Sequence, residues 1–337
     1  MPAPRVALVG AGAFGRNHLR VIHSSPHAAL AGVFDLDPAR AQAAVQPYGC
    51  PVFDSLEALA KASDAAVVAT PTITHSGIGC RLMQLGLDVL VEKPIAHTPA
   101  AARELVETAR STGRVLQVGH LERFNPAVIA LAAVVTKPLF FEIHRLSEFT
   151  PRSLDVDVVL DLMIHDIDIV LTLTGEAPQE VRAAGISILT PKVDIANVRL
   201  QFPGGCVANL TASRVSTERV RKLRLFQPHE YISLDYARKD GVRFRVKRAA
   251  EGPGHNHAGD PAAPPMAIDF SPLPVTPDEP LRLELEAFFE CIANRKQPLV
   301  TGQHGLSALE AATSILDKIE EHSRLVARTL DARTPRA

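Results

Sequence analysis

Lys93 stands where a lysine is costly. It follows the apolar run Val89–Val91 and Glu92 within VLVEKPIAH, and Pro94 comes straight after it. An amine at the end of a buried strand loses hydration, and a proline behind it restricts the backbone that aims it. Two roles suit it: a salt-bridge partner for Glu92, or a functional amine at the mouth of a cleft. A second group lies in DVDVVLDLMIHDIDIVLTLT, residues 155–174, which reads as one long, mostly buried helix. Asp161, His165 and Asp168 fall at i, i+4 and i+7, so they share one face. The rest of that helix is largely Val, Leu, Ile and Met, and a polar stripe on a buried helix needs partners or a cleft. Three chemistries suit the stripe: a general-base histidine oriented by acids, a metal site, or a hydrogen-bonded core network without chemistry. The residues alone leave these open; the metal site is the least favoured, and no metal is assigned.

A different chemistry is written at the start of the chain. VALVGAGAFGRNHL places Gly10, Gly12 and Gly15 in G-x-G-x-x-G spacing between a strand and a helix. Gly10 permits a tight turn, Gly12 lets backbone approach a pyrophosphate, and Gly15 lets the helix pack closely on the strand. The helix N-terminus, beginning with Ala13 and Phe14, then faces the phosphate charge. Asp35 ends the second strand, where an acid accepts ribose hydroxyls and repels a 2′-phosphate. NAD is therefore the expected cofactor, while the nearby Arg40 keeps NADP in view. ATPTITH follows a third buried strand at the carboxyl edge of the sheet, where ligands sit in open α/β folds. Thr70, Pro71, Thr72 and His75 are its candidate cofactor contacts; the competing role is a turn that caps the next helix. Glu92 and Lys93 end another strand on the same edge. Beside the cationic ring of an oxidised nicotinamide, a desolvated Lys93 has a lowered pKa and can trade protons.

These residues need a scaffold that brings them together, and the sequence outlines one. Over the first 119 residues, apolar runs at Val6–Val9, Leu30–Phe34, Ala65–Ala69, Val89–Val91 and Val115–Val118 alternate with helical stretches. One of these, Pro99–Ser111, has Thr98 placed as its N-cap. Alternation of this kind predicts an α/β domain with a parallel sheet covered by helices. After Gly119 the helix over 155–174 is followed by strand-like runs from VRAAGISIL to VRFRVKR without helices between them, which predicts a mostly antiparallel sheet. Residues 249–280, rich in Pro, Gly and Ala, read as a loop or extended arm. Two helices close the chain near 281–294 and 305–327. We therefore expect two domains, 1–119 and 120–337, with the last helices free to pack back on the first. Apolar residues on both alternations of NVRLQF and CVANLTA suggest that both sheet faces are covered, hence a homo-oligomer, a tetramer ahead of a dimer.

Composition narrows the partners. The chain of 337 residues carries a net charge of −1 with its Lys and Arg scattered, so no basic footprint for nucleic acid is expected. No run approaches about 18 apolar residues without charge, the length of a membrane span. MPAPRVALVG passes into a strand without the apolar stretch of a signal peptide. Cys50, Cys80, Cys206 and Cys291 lie far apart and read as reduced thiols of a cytoplasmic protein.

GAGAFG, VEKPIA, GHLERF and LDLMIHDID together resemble the glucose–fructose oxidoreductase and inositol dehydrogenase family, and the likeness spans nearly the whole chain. It implies an N-terminal Rossmann domain, a doubly wound parallel sheet, and a C-terminal α+β domain whose large open antiparallel sheet often builds oligomers. It assigns catalytic roles to Lys93, Asp161 and His165, and places Arg123, beside Phe124, near nicotinamide and substrate. Many relatives carry a glycine two residues before the histidine; Met163 stands there in this chain, which would narrow the pocket. A closer likeness, in VGHLERFNPAV, HRLSEFTPRSLDVDVVLDLMIHDIDIVL and RVRKLRLFQPHEYISLDY, is to the subgroup that oxidises the 3-hydroxyl of UDP-N-acetylglucosamine at the start of diamino-sugar synthesis for some lipid A. That resemblance implies a UDP-sugar substrate. Arg123, Arg152 and Arg214 are then candidates for its diphosphate, because guanidinium matches phosphate oxygens; each also suits a solvated charge or structural pair. The rival readings are another sugar or polyol dehydrogenase of the inositol type, and a sensor that binds sugar and NAD without chemistry.

Overall fold

The apolar runs of the first domain become strands because each is short, β-branched or small, and closed by a turn residue. A computed structural model describes residues 3–150, 156–247 and 267–333 of the chain. In it the runs form β1 (Arg5–Val9), β2 (Ala29–Phe34), β3 (Ala65–Val68), β4 (Asp88–Glu92) and β5 (Leu116–Gly119). They pair in the order β2-β1-β3-β4-β5, all parallel. Parallel strands are covered on both faces, and β3 and β4 are buried throughout. The cover is α1 (Ala13–Ser24), α2 (Pro38–Val45), α3 (Leu56–Ala62), α4 (His75–Gln84) and α5 (Pro99–Thr112). Thr98 caps α5 as its sequence position implied, accepting the Ala101 N–H.

The second part of the chain begins with a helical turn at Leu121–Phe124 and α6 (Pro126–Ala132), then β6 (Phe140–Leu146). A π turn at Val159–Met163 runs into α7 (Ile164–Thr174). The strands β7 (Glu180–Ile186), β8 (Ile195–Gln201), β9 (Val207–Ser213), β10 (Val220–Gln227), β11 (Glu230–Asp235), β12 (Asp240–Lys247) and β13 (Ala267–Pro272) follow. With β6 they form an eight-stranded sheet in the order β13-β12-β11-β10-β6-β9-β8-β7. Its pairs are antiparallel except β6 with β9. Two helices close the chain, α8 (Pro280–Asn294) and α9 (Gly302–Arg333).

Both closing helices return to the first sheet. Leu285, Phe288 and Phe289 of α8 share a core with Val6, Leu8 and Leu90. The start of α9 packs Leu306 and Leu309 beside Leu116 and Val118, while Ala312, Ile315 and Ile319 further along it enter the core of the second sheet. One helix therefore spans both cores.

Four sequence expectations change. The strand at Phe140–Leu146 went unmarked, although it lies at the centre of the large sheet. The supposed arm contains β13, an edge strand; residues 248–266 lie outside the described residues. The long helix forms without a break over 158–174, but it is not regular: a π turn occupies Val159–Met163 before α7, with the Ile164 N–H reaching back five residues to Val159 O. Finally, β8 and β9 are not apolar on both faces. Val198 and Leu200 are buried, but the other alternation pairs Asn197 with Thr211 and Arg199 with Asn209. The apolar outer face lies at the other end of the sheet. There Phe140, Phe226, Tyr231, Phe244 and Phe270 stack across five strands with ring centroids 4.9 to 5.8 Å apart.

The tightest joint in the first domain is α1 on β1. A Cβ on Gly15 would lie 2.0 Å from the Gly10 carbonyl oxygen, a rigid backbone atom. Gly15→Ala should force the helix outward and cost about 1–3 kcal/mol, as overpacking does. An unchanged urea-unfolding midpoint would contradict this packing.

Candidate active site

The carboxyl edge of the first sheet and the inner side of the second enclose a cleft of about 460 Å³. From the first domain come Phe14 at the start of α1, Thr70 and Thr72 after β3, and Glu92 and Lys93 at the end of β4. Leu121 and Glu122 enter after β5. Opposite them stand Leu160, Asp161 and Leu162 of the π turn, His165 of α7, Arg145 of β6 and Arg221 of β10. A second cavity of the same size borders Asp168 and His304 but meets neither the glycine loop nor Lys93.

The first-domain wall fits a dinucleotide. Gly10 has φ +97°, and a Cβ there would meet Ala69 O at 2.4 Å, so the turn requires glycine. A Cβ on Gly12 would meet nothing within 4 Å, leaving the loop open for close approach by a phosphate. No side chain caps the first turn of α1, whose exposed residues include Ala13 and Phe14; such an end suits an anion. Asp35 ties this loop down, accepting the Ala11 N–H at 2.7 Å and the Asp37 N–H at 2.8 Å. Each carboxylate oxygen retains capacity for a further donor. Arg40 lies 3.7 Å from Asp35.

Around β3, Thr70 and Thr72 reach the cleft, and Pro71 precedes the helical turn Thr72–Thr74. His75 does not face the cleft, contrary to expectation. It is buried, with its ring nitrogens 2.9 Å from Thr70 O and from Pro94 O. It joins the loop after β3 to the loop after β4.

The Lys93 ammonium crosses the cleft. It donates to the Asp161 main-chain oxygen at 2.7 Å and lies 3.4 Å from the Asp161 carboxylate. The alternative salt bridge to Glu92 is not formed. Glu92 instead contacts His18 at 2.7 Å and accepts the Lys93 backbone N–H at 3.2 Å. The Lys93–Pro94 peptide is cis.

The three polar residues of the 155–174 segment part company. Asp161 meets Lys93, His165 lines the cleft, and Asp168 is buried 3.6 Å from Arg123. No hydrogen bond joins Asp161 to His165 among the described residues, so the expected acid–histidine pair is absent. The π turn explains this: the extra residue per turn breaks the i, i+4 alignment of an ideal helix. The divergence also removes support for a metal held by the stripe. Among the described residues the His and acid grouping compatible with an ion is His18, Glu92 and Glu284.

The substrate candidates are rearranged as well. Arg123 and Phe124 are buried and do not line the cleft that Leu121 and Glu122 enter, and Arg123 also donates to Thr172. Arg214 is buried, donates to Val156 O and lies 3.9 Å from Asp194, so it supports a wall residue rather than lining the cleft. Arg152 lies outside the described residues. Met163 is fully buried in the core, and Leu162 faces the cleft in its place.

The charges missed in the sequence are Glu122, Arg145, Asp166 and Arg221. Arg145 is buried and bound bidentately by Asp166, both contacts at 2.7 Å, with Glu122 at 3.1 Å and the Tyr236 ring 4.9 Å away. A signal existed: in FFEIHRL, Arg145 stands on the same alternation as Phe141 and Ile143, the buried face. Arg221 shares the alternation of Leu223 and Leu225 in the same way.

Known proteins align with this arrangement. Residues 4–120 match the model of an oxidoreductase family with an NAD-binding Rossmann fold, and residues 128–227 match the GFO/IDH/MocA C-terminal domain. The chain is 36% identical to a UDP-N-acetylglucosamine 3-dehydrogenase of Acidithiobacillus ferrooxidans, over 92% of this chain and 96% of that protein. It is 27% identical to an inositol 2-dehydrogenase of Rhizobium meliloti, over 95% and 98% of the two chains. A solved structure of the Acidithiobacillus ferrooxidans 3-dehydrogenase superposes with a TM-score of 0.86 at 33% identity, covering 96% of this chain and 99% of that one.

The electrostatics of His165 yield a test. Its Nδ1 is buried without a partner, and the His120 ring stands perpendicular at 6.4 Å. Burial first, then the cations of Lys93 and Arg145, hold His165 well below its ordinary 6.5. Its imidazole is therefore neutral at neutral pH. As pH falls through about 6.5 the unfolded chain takes up a proton that the folded chain refuses, so stability is lost progressively from there down to the folded-state value. NMR of the imidazole resonances should find His165 unprotonated at pH 6.5; a protonated ring at that pH contradicts the geometry.

Proposed function

We propose the following reaction for this chain, which belongs to the GFO/IDH/MocA oxidoreductase family: oxidation of the 3-hydroxyl of UDP-N-acetylglucosamine to the 3-keto sugar nucleotide. The chain is an NAD-dependent dehydrogenase, and NAD when bound supplies the hydride acceptor. Gly10, Gly12, Ala13, Phe14 and Gly15 would hold its pyrophosphate and Asp35 its ribose hydroxyls. Thr70, Pro71, Thr72, Glu92 and Lys93 would bound its nicotinamide end. The observation that carries the proposal is the pairing, in one cleft, of a cationic donor with a neutral acceptor. His165, kept unprotonated by burial and by nearby cations, takes the hydroxyl proton. The Lys93 ammonium donates to the same oxygen and stabilises its developing negative charge. Asp161 holds Lys93 toward that position rather than orienting His165. The 36% likeness to a sugar-nucleotide 3-dehydrogenase chooses the substrate among alcohols.

The same proposal places the domain division at 119/120, with the second domain taking the sugar nucleotide and building the assembly. It places the enzyme in the cytoplasm, where the ketone would meet an aminotransferase ahead of diamino-sugar formation for lipid A. Among the described residues no helix is long and apolar enough to cross a membrane.

Incubating the protein with NAD and a panel of UDP-sugars, myo-inositol and free hexoses, while following reduced nicotinamide, tests the reaction. UDP-N-acetylglucosamine should be oxidised fastest. Preference for myo-inositol would favour the inositol-type reading, and NAD binding without any turnover would favour a sensor. Lys93→Met should lower turnover by roughly a hundredfold or more while changing stability by about 1 kcal/mol or less. Near-normal turnover in a folded Lys93→Met protein would return Lys93 to a structural role.

For the assembly, the aromatic row across β6 and β10–β13 leaves Phe226 and Phe270 38% and 59% exposed. A second copy is the proposed cover, in a homo-oligomer, a tetramer ahead of a dimer. Light scattering at micromolar concentration should find an oligomer, and Phe270→Asp should weaken it; a wild-type monomer would overturn this assignment.

A further inference from the structure

Beside the reacting cleft lies a smaller cavity of about 350 Å³, and Leu121, Glu122 and Arg221 wall both. Its other polar walls are Asn125, Arg219, Tyr236 and Lys239. Three of these groups are cations. Arg219 and Arg221 make no side-chain hydrogen bond or ion pair among the described residues, and the Arg221 Nε is buried without a partner. Lys239 donates to the Asp278 main-chain oxygen at 3.2 Å, and its charge also acts on the Asp278 carboxylate, which Arg282 already holds. The nearby acids are committed elsewhere: Glu122 and Asp166 both hold Arg145. Asn125 donates to Glu122 and to Tyr236 O.

Arg221 is therefore an anomaly of stability. In the β6–β10 register it stands directly opposite Arg145. Like charges opposed across a sheet destabilise it, and a partly buried, unpaired guanidinium adds a desolvation cost. Burial, followed by Arg145 and Arg219, lowers the Arg221 pKa. An anion of two or more charges would satisfy such a cluster, and guanidinium groups match phosphate oxygens in particular.

Resting on the proposed sugar-nucleotide reading, we infer that Arg219, Arg221 and Lys239 form the subsite for the substrate's diphosphate. The connectivity of a sugar nucleotide suits the two cavities. Its first phosphate is joined directly to the sugar ring, and Arg221 faces both the space beside Lys93 and His165 and the adjoining basic pocket. This subsite replaces the roles of Arg123 and Arg214, which are spent on buried partners. It makes the diphosphate a determinant of specificity, since a free sugar or polyol leaves Arg221 unpaired.

The test uses full-length protein saturated with NAD, so that added nucleotide cannot report the dinucleotide site. UDP is titrated calorimetrically into wild type, Arg221→Gln, and the double variant Arg219→Ala with Lys239→Ala. UDP affinity should fall by about tenfold or more in each variant, as loss of a charge-assisted hydrogen bond implies. KM for UDP-N-acetylglucosamine should rise in parallel. Without nucleotide, Arg221→Gln should melt at or above the wild-type temperature, because the charge opposed to Arg145 is gone. The double variant, at the exposed Arg219 and the half-buried Lys239, keeps the test informative should Arg221→Gln misfold. Failure of wild type to bind any of UDP, GDP and dTDP, or equal affinity of the double variant for the one that binds, overturns the subsite. If UDP-N-acetylglucosamine is oxidised while the variants keep its KM, the reaction stands and this subsite falls. If it is not oxidised but GDP or dTDP binds and weakens in the variants, the subsite stands and the choice of sugar nucleotide falls.

Discussion

The bond from the Lys93 ammonium to Asp161 sets the terms for the rest of the cleft. Lys93 comes from the end of β4 and Asp161 from the π turn, so this contact of 2.7 Å joins the two walls where they meet. It decides which groups are free. Asp161 is occupied by a cation and does not orient His165, and Glu92 is occupied by His18 and does not draw Lys93 back toward the sheet. His165 is left neutral, held so by burial and by Lys93 itself. A fixed ammonium and an uncharged imidazole in one cleft are complementary partners for an alcohol oxygen: one donates to it while the other receives its proton.

Behind that pair lies a second layer of buried charge. Arg145 is satisfied by two oxygens of Asp166, by Glu122 and by the face of Tyr236. A buried ion pair is tolerable when its donors are matched in this way and becomes costly when one partner is lost. The network ties β6, α7 and the turn after β5 into one rigid wall, which a site needs if its groups are to keep their distances. It also divides labour between two neighbouring arginines. Arg145 is consumed by structure and adds its field to the suppression of His165 protonation. Arg221, opposite it in the sheet, has no acid left to meet.

The closing helices supply rigidity on a larger scale. Because α9 buries Leu306 and Leu309 in one core and Ile315 and Ile319 in the other, the two sheets share one structural strut. The cleft is bounded by elements whose mutual placement is fixed through this shared packing as well as through Lys93 and Asp161.

Local physics made much of this legible in the sequence. The glycines and Asp35 announce a dinucleotide loop because each position answers a constraint a few residues away: a tight turn, a close phosphate approach, a helix packed on its strand. Lys93 was conspicuous because a lysine after VLV is expensive wherever the chain folds. The family resemblance carried the fold and the chemistry with it, and the matching domain models agree. What sequence spacing could not supply was the direction of side chains whose neighbours lie far along the chain. Arg123 and Glu122 are adjacent, yet one turns into the core toward Asp168 and the other into the cleft toward Arg145. Asp161 and His165 have the spacing of one helix face, yet a π turn separates their targets. The outer face of the second sheet is polar at β8 and aromatic at β10–β13, a difference created by pairing strands in the order β13-β12-β11-β10-β6. Residue type and local spacing thus marked the dinucleotide loop and the candidate reacting groups, and the family resemblance chose among their chemistries. The packing of distant elements decided which of two similar arginines, and which of two neighbouring acids, is available to perform it.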